Sequence, residues 1–140
     1  MSPARILVVD DNTADVNLLR LALDQQGEKY ELEVLETGEE ALRFVREHRD
    51  GLQRPYPCVI LLDLHLPKYD GLAILQAIKQ APVLAHIHVL VLSGMASPAE
   101  RAKIANMGAS YRQKPFDLGE YLDLGAEILA LCQESSVIAA

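Results

Sequence analysis

Ile6-Leu7-Val8-Val9-Asp10-Asp11 is the stretch that decides the fold, because four consecutive aliphatic residues run directly into two aspartates. A continuous apolar run, rather than an alternation of apolar and polar residues, predicts a β-strand that is buried on both faces. Two more runs of this kind occupy residues 58–62 and 88–92. Together they favour a parallel sheet that is covered by helices on both sides.

Amphipathic stretches alternate with these strands. Apolar residues at helical spacing, with capping residues at the ends, predict helices over about 14–26, 38–48, 72–80, 98–107 and 118–132. Residues 31–36 alternate polar and apolar side chains, which suits an edge strand, and residues 109–112 form a short fifth strand. We therefore expect a doubly wound α/β domain of five strands and five helices.

The composition indicates one domain. The chain has 140 residues and a formal net charge of −7, without a cluster of lysine and arginine, which argues against a nucleic-acid partner. Its apolar runs are too short to cross a membrane and its start lacks a signal peptide, so we expect a cytoplasmic protein. Residues 4–132 should form the core and 133–140 a tail. No output domain is expected within the 140 residues.

Two other features of the sequence have ordinary structural explanations. Cys58 and Cys132 are far apart in sequence and lack a metal-like spacing, so two free thiols in the core are expected. Residues 49–57 contain two prolines and a glycine, which is typical of a surface loop, with a partner-contact loop as the alternative.

Charged and hydroxyl residues follow four of the predicted strands. Asp10 and Asp11 follow the first, Asp63 the third, Ser93 the fourth and Lys114 the fifth. The carboxyl ends of parallel strands share one edge of the sheet, where ligands bind. Two carboxylates at close range repel by about 4 kcal/mol at an effective dielectric constant of 20. Mg²⁺, which prefers oxygen ligands and leaves room for phosphate, would offset that repulsion.

Each of these residues also has an ordinary structural explanation. The pair Asp10-Asp11 can cap a helix, Asp63 and Ser93 can be turn residues, and Lys114 can be a solvated surface charge. Their joint occurrence at successive strand ends favours a phosphoryl-transfer site instead.

At these residues the sequence resembles the receiver domains of bacterial two-component response regulators, of the chemotaxis-regulator type. The matching segments are Ile6 to Asp11, Ile60 to Pro67 with Asp70-Gly71, Val91 to Gly94 and Tyr111 to Phe116. The resemblance implies a flavodoxin-like (βα)5 sheet with strand order 2-1-3-4-5. A weaker similarity, in the extended segment before the third strand, is to regulators paired with phytochrome-type histidine kinases.

The resemblance also implies roles for individual residues. Asp63 would accept a phosphoryl group from a sensor histidine kinase or a histidine phosphotransfer protein, with Lys114 contacting that group. Asp11, Asp63 and the backbone carbonyl of His65 would ligate Mg²⁺, and Asp10 would contribute to the metal site through a metal-bound water.

A switch is implied as well. Ser93 would move toward the phosphoryl group and Tyr111 would swing inward. The surface of the fourth helix, fifth strand and fifth helix would then change, for contact with a protein target or for homodimer formation. We hypothesise that His65 and Met95 shield the acyl phosphate from water.

Two rival interpretations differ in chemistry. A haloacid-dehalogenase-type phosphatase also uses an aspartate nucleophile, but it needs a second aspartate where this chain has His65. An interaction module that has lost phosphorylation should lack part of the acidic set, whereas Asp10, Asp11, Asp63 and Lys114 are all present.

Overall fold

The computed structural model describes residues 3–49 and 55–139, with side chains described through residue 134. Most of the predicted loop 49–57, namely residues 50–54, lies outside the described residues, as do the side chains of the tail after residue 134. No helix in the described part of the chain is long and apolar enough to cross a membrane.

The main sheet confirms the predicted order of strands. Its strands are β1 (Ala4–Val9), β2 (Tyr30–Leu35), β3 (Val59–Asp63), β4 (His88–Ser93) and β5 (Ser110–Gln113). They lie in the order β2-β1-β3-β4-β5, and every pairing is parallel. Val59 pairs with both Ile6 and His88, so β3 lies at the centre of the sheet.

Helices cover both faces of the sheet. They are α1 (Thr13–Gln25), α2 (Gly38–His48), α3 (Gly71–Gln80), α4 (Pro98–Asn106) and α5 (Leu118–Ala139). Ile6 and Val8 of β1 face the core that contains α1 and α5, whereas Leu7 and Val9 face the core that contains α2, α3 and α4. Successive strand residues point to opposite faces, which is why a strand inside such a sheet needs a continuous apolar run.

Helices α2 and α4 begin at the capping residues that the sequence predicts. Ser97 and Glu100 form a complete capping box at α4, and the Thr37 hydroxyl of α2 accepts from the Glu40 N–H. Gly108, which has φ +75°, follows the end of α4. A left-handed residue after a helix is most easily supplied by glycine.

Three local elements differ from the sequence prediction. Helix α5 continues to Ala139 instead of ending near residue 132, because residues 133–139 contain no proline or glycine to stop it. The polar turn after β3 contains a short antiparallel hairpin, His65–Leu66 with Tyr69–Asp70. A 3₁₀ turn, Leu84–His86, precedes β4.

The prediction of two free thiols is wrong. Cys58 and Cys132 form a disulfide whose Cα atoms are 5.1 Å apart. Cys58 immediately precedes β3, and Cys132 lies in α5, which packs on the same face of the sheet. The two cysteines are 74 positions apart, and the sequence between them carries no local signal of pairing, because packing of α5 on the sheet brings the two together.

Candidate functional site

Three aspartates predicted to share the carboxyl edge of the sheet do meet there. Asp10 follows β1 and Asp63 ends β3; they are only 6% and 7% exposed, whereas Asp11 is exposed. Carboxylate oxygens of Asp10, Asp11 and Asp63, one from each, lie within 4.8 Å of one another. A group of oxygen donors at this spacing suits a hard divalent cation such as Mg²⁺.

Lys114 lies among these carboxylates. Its Nζ is 3.2 Å from Asp10 Oδ2, 3.3 Å from Asp63 Oδ2 and 2.8 Å from Asp15 Oδ2. The backbone N–H of Lys114 donates to the Ser93 carbonyl at 2.9 Å, which anchors the lysine beside the end of β4. The ammonium group therefore offsets part of the repulsion among the carboxylates, in addition to the Mg²⁺ that the sequence predicts.

Asp15 is a site residue that the sequence analysis missed. It lies in the first turn of α1, where its N–H donates to the N-cap side chain of Asn12 at 3.1 Å. The available signal was an acidic residue in the first turn of the helix that follows Asp10-Asp11, since that turn begins at the same edge of the sheet. With Asp15 included, carboxylates outnumber the lysine four to one, so the site retains negative charge for a cation.

Burial and charge act in opposite directions on these groups. Burial raises the pKa of Asp10, although the Asn12 N–H and Lys114 oppose that rise. Burial by itself lowers the pKa of Lys114, but the hydrogen bond to Asp15 and the charges of Asp10 and Asp63 outweigh it, so this pKa is raised overall. Lys114 is therefore a cation at any physiological pH.

Asp63 is held in place yet accessible. Its Oδ1 accepts from the His65 N–H at 3.1 Å and its Oδ2 from Lys114. A cavity of about 690 Å³ lies over this edge of the sheet and is lined by Asp11, Asp63, Gly94 and Lys114, among others. The carboxylate thus faces a space that is large enough for a small phosphorylated group.

Gly71 lies directly behind Asp63. A Cβ atom at Gly71 would lie 2.5 Å from the Leu64 carbonyl oxygen and 2.9 Å from that of Asp63. The preceding residue, Asp70, caps α3 by accepting from the Leu72 N–H at 2.9 Å. The Asp70-Gly71 pair therefore lets α3 begin close against the backbone that carries Asp63.

The two predicted switch residues lie next to each other. Ser93 is 1% exposed, and its hydroxyl lies 3.0 Å from the Met95 carbonyl and 3.1 Å from His65 Nδ1. The Tyr111 hydroxyl donates to the Ser93 carbonyl at 3.3 Å, and the Arg101 guanidinium lies 6.0 Å from the centre of the Tyr111 ring. Met95 is 83% exposed.

The fold and the site together define an α/β protein that gathers carboxylates, a hydroxyl and a lysine at the carboxyl edge of a parallel sheet. The chain belongs to the response regulator receiver domain family, whose model matches residues 6–124. The flavodoxin-like (βα)5 fold with strand order 2-1-3-4-5, predicted from the sequence, is confirmed. Receiver domains are signalling proteins, so the chain is a component of two-component signalling.

Individual relatives agree with this assignment. Response regulator Rcp1 of Synechocystis sp. is 41% identical over 91 residues, which are 65% of this chain and 62% of that protein. The polar-differentiation response regulator DivK of Brucella anthropi is 30% identical over 122 residues, which are 86% of this chain and 92% of DivK. The match to Rcp1 thus spans less than two thirds of that relative.

Solved structures are similar over nearly the whole chain. The Mn²⁺-bound form of response regulator Rcp1 has a TM-score of 0.78 and 32% identity, and covers 90% of this chain and 91% of its own. The phosphorylated cyanobacterial phytochrome response regulator RcpA has a TM-score of 0.78 and 31% identity, with 91% of each chain covered. Both the general and the phytochrome-related resemblance seen in the sequence are confirmed.

Proposed function

We propose that Asp63 accepts a phosphoryl group from a phosphohistidine of a sensor histidine kinase, in a reaction that depends on Mg²⁺. One observation carries this proposal: the Asp63 carboxylate lines the cavity while Lys114 Nζ lies 3.3 Å away and two more aspartates lie within 4.8 Å. A nucleophile (Asp63), a fixed positive charge (Lys114) and a group of carboxylates that can bind a metal ion therefore lie in the same site.

Asp63 is a better acceptor than its neighbours. Asp10 is equally buried, but it is not among the residues that line the cavity. Asp11 is exposed at the rim, where water screens its charge. Asp63 combines burial with a position on the cavity wall, so an incoming phosphorus atom can reach its oxygen.

In the proposed transfer a carboxylate oxygen of Asp63 bonds to phosphorus as the phosphorus–nitrogen bond of the phosphohistidine breaks. The imidazole leaves with the bonding electron pair and takes up a proton from solvent. The Lys114 ammonium group binds a phosphoryl oxygen, and the His65 N–H orients the attacking carboxylate. Asp10, Asp11, Asp63 and the His65 carbonyl would hold Mg²⁺, which would supply positive charge to neutralise the phosphoryl oxygens.

The partners follow from the same proposal. The phosphoryl donor is a sensor histidine kinase or a histidine phosphotransfer protein, and the phytochrome class is favoured because RcpA, a similar structure, is a phytochrome response regulator. The signal leaves through α4, β5 and α5, because Tyr111 of β5 contacts the Ser93 backbone. Its receiver is a protein target or a second copy of the chain.

Intact mass measurement tests the proposal. The protein is incubated with Mg²⁺ and a small acyl or amido phosphate, and wild type should gain the mass of one phosphoryl group. Asp63→Asn should gain none, whereas Asp123→Asn, an exposed aspartate of α5, should match wild type. Chelation of Mg²⁺ should abolish the gain. A modified Asp63→Asn protein would show that the acceptor is another residue.

A further inference from the structure

The His65 side chain connects two elements that both border the phosphoacceptor. Its Nδ1 lies 3.1 Å from the Ser93 hydroxyl at the end of β4, and its Nε2 lies 3.4 Å from Glu100 Oε2 in α4. Its backbone N–H contacts Asp63 Oδ1 at 3.1 Å. One residue thus contacts the acceptor, the buried hydroxyl and the first turn of α4.

The single proton of the Ser93 hydroxyl is already used in a hydrogen bond within the protein, so it is not available to a phosphoryl oxygen. A hydroxyl offers one proton and two acceptor sites, and Ser93 Oγ accepts from the Met95 N–H at 3.2 Å. A proton on Nε2, facing the Glu100 carboxylate, leaves Nδ1 to accept from Ser93 in the neutral ring. If the ring is doubly protonated, Nδ1 donates to Ser93 and the serine proton goes to the Met95 carbonyl at 3.0 Å.

Burial makes this arrangement costly to break without a replacement. Ser93 is 1% exposed, so water cannot take over a lost hydrogen bond. A phosphoryl group on Asp63 must therefore compete with His65 and with the Met95 carbonyl for the serine hydroxyl.

Glu100 orients the imidazole of His65. Its Oε1 accepts from the Ser97 N–H at 2.9 Å, which completes the capping box of α4 and orients the other oxygen toward His65. The His65 side chain is 57% exposed and that of Glu100 is 30% exposed, so this contact is weak. Its effect is to orient the ring.

We propose that His65 is a positioning residue that holds the Ser93 hydroxyl away from Asp63 in the unphosphorylated protein, and that Glu100 holds His65 in that position. The inference rests on the proposed phosphorylation of Asp63. It differs from the shielding hypothesis because it concerns the free protein, where the competition is for a hydroxyl rather than for water. Loss of either side chain should favour occupation of the phosphoryl site.

The test measures the affinity of the protein for beryllium fluoride, a phosphoryl mimic, in the presence of Mg²⁺, by tyrosine fluorescence. Removal of one hydrogen bond that competes with the mimic should tighten binding of His65→Ala about three- to tenfold. In a Ser93→Ala background His65→Ala should leave the affinity for beryllium fluoride unchanged, because the hydroxyl that binds either His65 or the mimic is absent.

Two further variants separate orientation from general perturbation. Glu100→Gln keeps an oxygen for the Ser97 N–H but loses the carboxylate that faces His65, and it should tighten binding less than His65→Ala. Glu40→Gln is the matched control, because Glu40 occupies the equivalent capping position of α2 and contacts Thr37 instead. It should leave the affinity unchanged.

The outcomes distinguish this inference from the function on which it rests. Failure of wild type to bind the mimic and to gain phosphoryl mass would overturn the proposed function. Normal binding by wild type, with the same affinity in His65→Ala, would overturn the inference alone. A His65→Ala effect that persists in the Ser93→Ala background would also overturn it, since the imidazole would then act on something other than the serine.

Discussion

The disulfide between Cys58 and Cys132 should contribute strongly to stability. It closes a loop of 74 residues, and the loss of chain entropy in the unfolded state corresponds to about 4.5 kcal/mol for a loop of this length. Measured contributions usually fall below this estimate, so we expect reduction to lower the free energy of unfolding by about 2–4.5 kcal/mol. With a urea dependence of roughly 1.5 kcal/mol per molar, the midpoint should fall by about 1–3 M.

Urea unfolding followed by circular dichroism, with and without dithiothreitol, measures this contribution. Reduction deletes no atoms from the core, which separates the cross-link from the packing of the two side chains. Thiol labelling of the unfolded protein verifies that both cysteines are reduced. The double variant Cys58→Ser with Cys132→Ser is the control, because its midpoint should not respond to the reductant.

The same perturbation should leave the phosphoryl site intact. Cys58 lies five residues before Asp63, and a strand of this length separates them by about 16 Å. Phosphoryl uptake by the reduced protein should therefore match that of the oxidised protein under conditions where both are folded. An unchanged urea midpoint after complete reduction would refute the reasoning, because it would mean that the cross-link does not restrict the unfolded chain.

Two other predictions concern the backbone behind the site and the far edge of the sheet. Gly71→Ala should lower the free energy of unfolding by about 1–3 kcal/mol, because its Cβ would lie 2.5 Å from a backbone oxygen. Gly94→Ala is the control and should lower that free energy less, because a Cβ at Gly94 would have no atom within 4 Å. Equal melting temperatures of the two variants would contradict this prediction. Burial and the hydrogen bond to Asp24 raise the pKa of Tyr30 from 10.0 to about 12, so absorbance titration of Tyr30→Phe should lack one late-ionising phenol. The neutral phenol is the form favoured by folding, so its stabilising effect should be present below pH 10 and be lost as the pH rises through about 12.

The sequence alone determined the fold class and the convergence of Asp10, Asp11 and Asp63 at one edge of the sheet. Continuous apolar runs identify strands buried on both faces. Successive residues of such a strand point to opposite sides of the sheet, and helices cover both sides. Capping residues such as Ser97 locate helix starts within a few residues because their hydrogen bonds are local. The convergence of Asp10, Asp63 and Lys114 follows from a rule of topology, since parallel strands end at the same edge of the sheet.

Only the tertiary structure decided which side chains touch across elements. Asp15 reaches Lys114, His65 lies between Ser93 and Glu100, and Cys58 pairs with a helix 74 residues later. Each contact depends on how a helix rotates and shifts on the sheet, by amounts smaller than the spacing of residues along the chain. Local pattern cannot determine that placement, because it arises from the packing of the whole core.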